Sequence, residues 1–502
     1  MGKAGSDRLA AALLVGVLAA RLVFALILGP GVDESYTLAI ARTLNLSYFD
    51  HPPLHQWIVH FAAAAFGEGV GARLPFLLLF AATGWIYYRM TIGLFGARAG
   101  LIALFGLNAA PFFFASAGTW IVPDGPLLFG LAAAAWALAR LAFATPADRA
   151  TVWGLWLVAG VALGLAGLSK YSAALSVLGL LAFVALSPRQ RRWLADPAPY
   201  AAAAVALVIV TPVVVWNARH GWVSFAFQGA RGTPGAGLKP TQFLVMALGE
   251  VAYLSPWLAA PLAMGLVAAW RKRDDERRLF LLCLALPAIV VFTLTPLWGG
   301  RGQPHWTMPG WFFVFALMGA WADDRGIADR TLRRWALASV GLLAAAVAVV
   351  SIDVATGWPS RLFLGPGAAD ATLEAFAWTD LRDAPALRPA PAFVLADKWS
   401  DAGKIALALG PGVPVFVVSD DPRGWAFVAG RDGLVGRDGV LIARESERAR
   451  AEGEAAPLAR SLGPPQDFAL LRNGEPAIDL VLIPVHGLTR QLPLPYPGAP
   501  GA

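Results

Sequence analysis

Stretches of mostly apolar residues, separated by short polar segments, recur along the first 352 positions of the chain. They cover roughly 9–28, 73–92, 99–116, 125–143, 152–168, 172–187, 199–216, 255–270, 279–297, 307–322 and 335–352. A bilayer crossing needs about 20 such residues, so the pattern predicts about eleven transmembrane helices. The first stretch follows Lys3 and Arg8 and lacks a small-residue cleavage site, so it is expected to be a retained anchor. Two shorter mixed runs, 35–46 and 54–66, fall in the 29–72 loop and suit helices lying in the membrane interface. Pro52-Pro53 sets a stiff break between them.

Beyond about residue 353 the periodicity changes. Alternating runs at Phe393–Ala396 and Val415–Val418 flank a helix-like Ser400–Leu409 segment, which reads as β-α-β. The expected fold class is therefore an all-α polytopic membrane protein with a small C-terminal α/β extracytoplasmic domain. The transmembrane part is placed at 1–352, the α/β domain at 353–490, and a Pro-rich, disordered tail at 491–502.

Charge sorts the loops. Lys3/Arg8, Arg89/Arg98, Arg140/Arg149, Arg189/Arg191/Arg192, Arg271–Arg273 with Arg277/Arg278, and Arg325/Arg330/Arg333/Arg334 fall in alternate connections, which the positive-inside rule assigns to the cytoplasm. The N-terminus is then cytoplasmic and the C-terminal domain outside. Asp33/Glu34, Asp50/His51, Asp124, Lys170, His220 and Arg301/His305 all fall at the opposite, outward face. The first outward loop runs roughly 45 residues, longer than a plain connection requires, and long loops tend to carry function.

Composition agrees with the class. Hydrophobic residues make up 57% of the chain and charged residues 15%, with mean hydropathy +0.59, which excludes an ordinary soluble enzyme. The formal charge of +7 comes from short basic clusters between apolar segments, with no aromatic-interleaved basic surface, so nucleic acid is not an expected partner. Cys283 is the single cysteine and lies in an apolar run, excluding a disulfide framework and a Cys-based metal site.

The candidate chemistry lies in the outward segments. Asp33 and Glu34 follow the first helix, where charge is costly to keep near lipid unless it serves a purpose. One of them suits a general base, while the other binds, positions or ligates a cation; neighbours on a helix point about 100° apart, so only one is expected to face the reacting centre. An acidic start to a helix beginning near Ser35 accounts for them equally well. Asp50-His51-Pro52-Pro53 reads as a second polar element or as a stiff turn, and Asp124 as a pocket residue or a cap. Lys170, between two apolar runs, needs an anion, for which a phosphate is the obvious candidate; snorkelling to the interface is the plainer alternative. His220, Arg231, Arg301 and His305 add outward-facing cations, with Gly-rich backbone around Arg301 that allows close approach of an anionic headgroup. Asp33, Glu34, Asp50 and His51 together carry donors for a Mg²⁺ or Mn²⁺ ion, although no spacing requires one.

The acidic pair after the first helix, Tyr48-Phe49-Asp50-His51-Pro52-Pro53-Leu54, Pro123-Asp124, Gly167-Leu168-Ser169-Lys170-Tyr171, and Trp216-Asn217 with His220-Gly221-Trp222 occur in an order that resembles integral-membrane glycosyltransferases of the GT-C fold. The likeness is to bacterial family 39 proteins related to protein O-mannosyltransferases and the lipid A aminoarabinose transferase. It implies a polyprenyl-phosphate-linked sugar donor, an extracytoplasmic acceptor (lipid A, another glycolipid, a polysaccharide or a protein), a site at the outer face of the bacterial inner membrane, and inversion at the anomeric carbon. On that reading Asp33 or Glu34 is catalytic. Lys170, Arg301 and His305 hold the donor phosphate, and Tyr36, Asp50, His51, Asp124, Tyr171 and His220 line the substrate pocket. An acceptor that is itself a phosphate arrives deprotonated and needs no base. A transporter or flippase of a lipid-linked sugar is the alternative, although transporters place charge near the midplane and toward both faces.

Overall fold

In the computed structural model, residues 3–496 are described apart from 146, 234, 236, 364–369, 429, 432 and 493–494. The helices in chain order are α1 (Lys3–Ile27), α2 (Val32–Ala41), α3 (Leu54–Phe66), α4 (Val70–Phe95), α5 (Ala97–Ala109), the short α6 (Ala117–Thr119), α7 (Asp124–Phe143), α8 (Arg149–Ser169), α9 (Ala173–Leu186) and α10 (Pro197–Arg219). They continue as α11 (Val223–Gly232), α12 (Pro240–Leu254), α13 (Pro256–Arg271), α14 (Glu276–Leu294), α15 (Met308–Asp324), α16 (Asp329–Thr356), α17 (Trp358–Phe363), α18 (Trp399–Leu409) and α19 (Arg448–Ala455).

All eleven apolar stretches fall on these helices for most of their length, the 99–116 stretch being broken at Ala110. Among the described residues seven are long and apolar enough to cross a membrane, or nine if two bent pairs each count as one span. One pair is α5 with Phe112–Thr119, bent by 81°; the other is α12 with α13, bent by 102°. Proline accounts for both breaks. Ala110 is extended (ψ 132°) before Pro111, and Ser255 sits at φ +73° before Pro256, because a proline pushes its predecessor out of the helical region. α9, with 14 residues, and α15, with 17, are shorter than a full crossing. α12 was not expected; it lies inside what reads in the sequence as a long outer loop.

α7 is the central helix, with 72% of its apolar window buried, whereas α16 is only 6% buried and α10 17%. Small residues let the backbones close up: a Cβ on Gly160 of α8 would sit 2.4 Å from the Ala202 carbonyl of α10, and one on Gly130 of α7 2.6 Å from that of Ala162. Apolar side chains such as Leu207 and Val208 of α10 are more than two-thirds exposed, as expected of a surface that faces lipid.

The two ends of the bundle differ. At one end the basic connections pair with acids: Arg98 with Asp323 and Asp329 (both 3.1 Å), and Lys272 and Arg278 with Asp324 (2.7 and 2.6 Å). At the other end lie the 28–69 segment, α11, the 299–307 segment and the C-terminal sheet. In that sheet β1 (Val394–Ala396), β2 (Val415–Val417) and β3 (Gly439–Arg444) are parallel, in the order β2-β1-β3, and α18 links β1 to β2. β6 (Glu475–Leu488) runs antiparallel to β3 and pairs with β4 (Ala459–Leu462) and β5 (Gln466–Arg472).

The sheet is docked through α18 onto α2. A Cβ on Gly403 would lie 2.6 Å from the Tyr36 amide. Arg42 donates to the carbonyl of Ala406 at 2.9 Å, and Lys404 to those of Pro30, Glu374 and Phe376 at 2.5, 2.6 and 3.0 Å. Burial pulls the Lys404 ammonium down to about 8. α2 is therefore buried from Glu34 to Ala41, covered by α3 on one side and α18 on another, rather than lying in the membrane interface as its mixed composition suggests. Most of the expected tail lies outside the described residues. Tyr496 within it is packed, donating to Asp421 at 2.8 Å and stacked on Phe49 at 4.5 Å.

Candidate active site

The first turn of α2 separates the two adjacent acids. Glu34 points inward and is held by four hydrogen bonds: Arg73 donates through Nε (2.8 Å) and Nη2 (2.6 Å), and the amides of Gly31 and Ile121 donate at 3.0 Å each. Arg73 also caps the end of α1, donating to the carbonyls of Ala25, Leu28 and Gly29 at 2.7, 2.9 and 3.0 Å. The pair is buried, with each side chain 2% exposed. Glu34 is thus committed to the fold, which corrects its expected part in catalysis or metal binding. The Gly31 contact is the helix-start role that the sequence also allowed.

Asp33 faces the other way. Water reaches it, although protein packs densely around it. That burial, together with Glu34, raises its carboxyl above the ordinary value of 3.8, against the pull of Arg423, Lys170 and Arg231. Asp33 is the acid left free to react.

Lys170 ends α8 and Asp124 opens α7, and the ammonium donates to both carboxylate oxygens at 2.9 Å. Both are buried. The anion that Lys170 requires is supplied by the chain itself, because close packing of α7 on α8 brings the two helix ends together. This revises Lys170 as an unpaired phosphate ligand and Asp124 as a free pocket residue.

Arg231, at the end of α11, is different. Its guanidinium lies over the rings of Phe227 (4.8 Å) and Trp306 (5.4 Å), and its buried Nε has no hydrogen-bond partner among the described residues. Its carbonyl accepts from the Arg301 amide at 2.8 Å, which places exposed Arg301 beside it. Aromatic faces hold the cation without neutralising it. In the sequence Arg231 was one outward-facing cation among several.

Three imidazoles, those of His51, His55 and His305, are not cations. Burial pushes His305 down to about 3, with Lys170 and Arg231 adding to the effect and Asp124 opposing it. His305 is therefore a neutral hydrogen-bonding group, not the expected phosphate-binding charge. His51 is held well below its usual value by burial and by His55, whose ring lies 5.7 Å away. Burial likewise takes His55 to about 3.

Tyr36 is fully used. Its hydroxyl donates to Asp50 and accepts from the Gly424 amide at 2.9 Å, so it joins α2 to the C-terminal sheet and does not line an open pocket. Asp50 is buried and faces Arg423, whose Nη1 lies 3.8 Å away. His220 stacks on Trp216 (4.1 Å) and shares a 2.7 Å hydrogen bond with its carbonyl, among aromatic residues that include Phe427. Tyr171 packs edge-on against Phe225 at 5.4 Å. The structure seats both in side-chain packing next to the charged cluster. With Glu34 held by Arg73 and Asp50 by Tyr36, the four residues that carry donors for a Mg²⁺ or Mn²⁺ ion form no common donor set. No three His, Cys, Asp or Glu side chains converge for one among the described residues.

Sequence reasoning missed Arg73 and Arg423. Arg73 reads as an ordinary residue at a span boundary, and Asp421-Pro422-Arg423-Gly424 reads as a turn of the α/β part; neither carries a local signal.

Residues 50–216 match the family model described as dolichyl-phosphate-mannose-protein mannosyltransferase. A lipid A galacturonosyltransferase, RgtD, of Rhizobium johnstonii is 26% identical over 272 residues, 52% of this chain and 54% of that protein. The lipopolysaccharide core galacturonosyltransferase RgtA of the same organism is 29% identical over 262 residues, 49% of each chain. The match thus spans about half the length of these relatives. Among solved structures, ArnT from Cupriavidus metallidurans superposes with TM-score 0.65 in the apo state and 0.64 bound to undecaprenyl phosphate. At 17% identity the superposition covers 96% of this chain and 98% of ArnT. The chain has the GT-C fold of an integral membrane protein, including the small C-terminal sheet.

Proposed function

We propose that this protein is an inverting glycosyltransferase that moves a sugar from a polyprenyl-phosphate donor to a glycolipid acceptor at the extracytoplasmic face of the bacterial inner membrane. One observation carries the reading: Asp33, a carboxylate open to water and raised in proton affinity, lies within electrostatic reach of Arg231, a cation held by aromatic faces with donors to spare. Glycosyl transfer develops positive charge on the sugar and negative charge on the departing phosphate, so it requires opposite charges on either side of the reacting carbon. The ArnT structure with undecaprenyl phosphate supports the donor class, and the two galacturonosyltransferases support a uronic acid as the sugar and lipid A or core as the acceptor. The basic loops at the far end of the bundle support the orientation.

In the proposed reaction the acceptor hydroxyl gives its proton to Asp33 as its oxygen attacks the anomeric carbon. The bond from that carbon to the phosphate oxygen breaks, with inversion. Polyprenyl phosphate leaves with one more negative charge, which Arg231 and Arg301 stabilise. The Lys170–Asp124 pair is neutral overall and orients the wall between them. A phosphate acceptor would need no base, and Asp33 would then bind the sugar.

The test is transfer of labelled sugar from a panel of undecaprenyl-phosphate sugars to lipid A and core acceptors. Asp33→Asn should lower the rate by at least about 10²-fold, as expected for loss of a general base, and Arg231→Ala should raise the donor KM. If no donor is consumed, but labelled lipid crosses reconstituted vesicles and both variants slow it, the protein is a flippase instead.

A further inference from the structure

The C-terminal domain also brings a cation within electrostatic reach of Asp33. Arg423, in the turn between β2 and β3, is held at φ +49°, a left-handed conformation that costs energy for a residue with a Cβ and persists only where the surroundings enforce it. Next to it, the Gly424 amide is bonded to the Tyr36 hydroxyl, and a Cβ at 424 would lie 2.3 Å from that oxygen. The turn is thereby pinned to α2. The guanidinium lies 3.8 Å over the Trp399 ring. It sits 3.8 Å from Asp50 Oδ1 and, through Nε, 3.5 Å from Asp421.

Neither approach is a hydrogen bond. Among the described residues Arg423 Nε has no hydrogen-bond partner, and neither has Asp50 Oδ1, on a residue only 5% exposed. Asp50 Oδ1 therefore stands unpartnered 3.8 Å from Arg423 Nη1, too far for a hydrogen bond, and Nε of the same guanidinium is unpartnered too, an arrangement that is costly unless a third group fills the gap. An anion there would meet Asp50, and a cation would meet Arg423. A hydroxyl, which donates and accepts at once, satisfies both.

The geometry points to Arg423 as a specificity-determining residue. With Asp50 it reads a hydroxyl of a sugar ring, so the C-terminal domain completes the substrate site built by the membrane helices. The sugar belongs either to the polyprenyl-linked donor or to the acceptor glycolipid. The inference rests on the glycosyltransferase reading for the class of ligand, and its test does not depend on turnover.

Binding to the full chain in nanodiscs, followed by tryptophan fluorescence, should be compared for bare undecaprenyl phosphate, a panel of undecaprenyl-phosphate sugars, and lipid A. Arg423→Ala should weaken one sugar-bearing ligand by about tenfold or more, the scale of a hydrogen bond to a charged group, and leave bare undecaprenyl phosphate unchanged. Which ligand is weakened identifies the source of the sugar. Asp50→Asn should produce the same loss, and the double variant no more than the larger single loss, because both side chains act on one hydroxyl. Equal weakening of bare undecaprenyl phosphate would make Arg423 a phosphate ligand and overturn the inference. So would unchanged binding of every sugar by a folded variant, with water filling the gap, or a wild type that binds no sugar better than bare lipid. If Arg423→Ala aggregates, Arg423→Lys, which keeps the charge but not the planar fork, should show the same selective loss. Selective sugar binding without transfer would overturn the enzyme reading alone; transfer with both KM values unchanged in Arg423→Ala would overturn the Arg423 assignment alone.

Discussion

Replacing Glu34 by alanine should damage the fold more than the chemistry, and replacing Asp33 by asparagine should do the reverse. Glu34→Ala removes the acceptor for two Arg73 donors and for the amides of Gly31 and Ile121. Arg73 is only 2% exposed and is tethered to three α1 carbonyls, so it cannot swing out to water. Breaking one side of such a pair costs about 3–5 kcal/mol. At about 1 °C per kcal/mol for a chain of this size, the melting temperature should fall by roughly 3–5 °C. Asp33 is reached by water and makes no ion pair within 4 Å among the described residues, so Asp33→Asn should melt with the wild type. The assay is the fraction of detergent-solubilised protein that stays monodisperse after heating, read beside transfer activity on the surviving fraction. A Glu34→Ala protein that melts like wild type but has lost transfer would refute the assignment of Glu34 to the fold and return it to the reacting centre.

Further outcomes follow from the same geometry. A base must be deprotonated, and Asp33 is raised above 3.8, so transfer should rise with pH through a value above the ordinary carboxylate range. Arg423→Ala removes the largest opposing charge and should move that acidic limb further up; a limb that stays in place would separate Asp33 from the rate. Asp124→Ala strands the Lys170 charge and should destabilise the protein by about 3–5 kcal/mol, with Asp124→Asn milder because the carbonyl still accepts, as thermal melts of the purified variants would show. Gly403→Val places branched carbon where only 2.6 Å separates a Cβ from the Tyr36 amide, so it should undock α18 from α2. Limited proteolysis should then cut the C-terminal region faster while the membrane helices stay protected; an unchanged digestion pattern would show that the contact yields.

The chain announces its helices more clearly than their partners. Every apolar stretch is helical because burial in lipid is a local property, summed over about 20 neighbouring residues. The same rule fails for α12, where Pro240, Gly249 and Glu250 dilute the signal, and for α2, whose mixed composition suits an interface until α18 is laid over it. At the site, Asp33 was legible from its place after α1, but its separation from Glu34 was not. Glu34 looks equally reactive until Arg73, 39 residues on, is seen to hold it. Lys170 advertised its need for an anion, and Asp124, 46 residues away, meets it. His305 read as a cation only while its burial was unknown.

By itself, then, the sequence determined the membrane class, the helical stretches, a small α/β part beyond the last apolar stretch, and the sorting of basic loops from the acid- and histidine-bearing ones. All of these depend on composition within a short window or on parity along the chain. Which acid stays free, which cation stays unpaired, and that Arg423 arrives from the C-terminal sheet were decided only by tertiary structure. A charge takes its role from whatever packs within a few ångströms of it, and helices remote in sequence are what pack there.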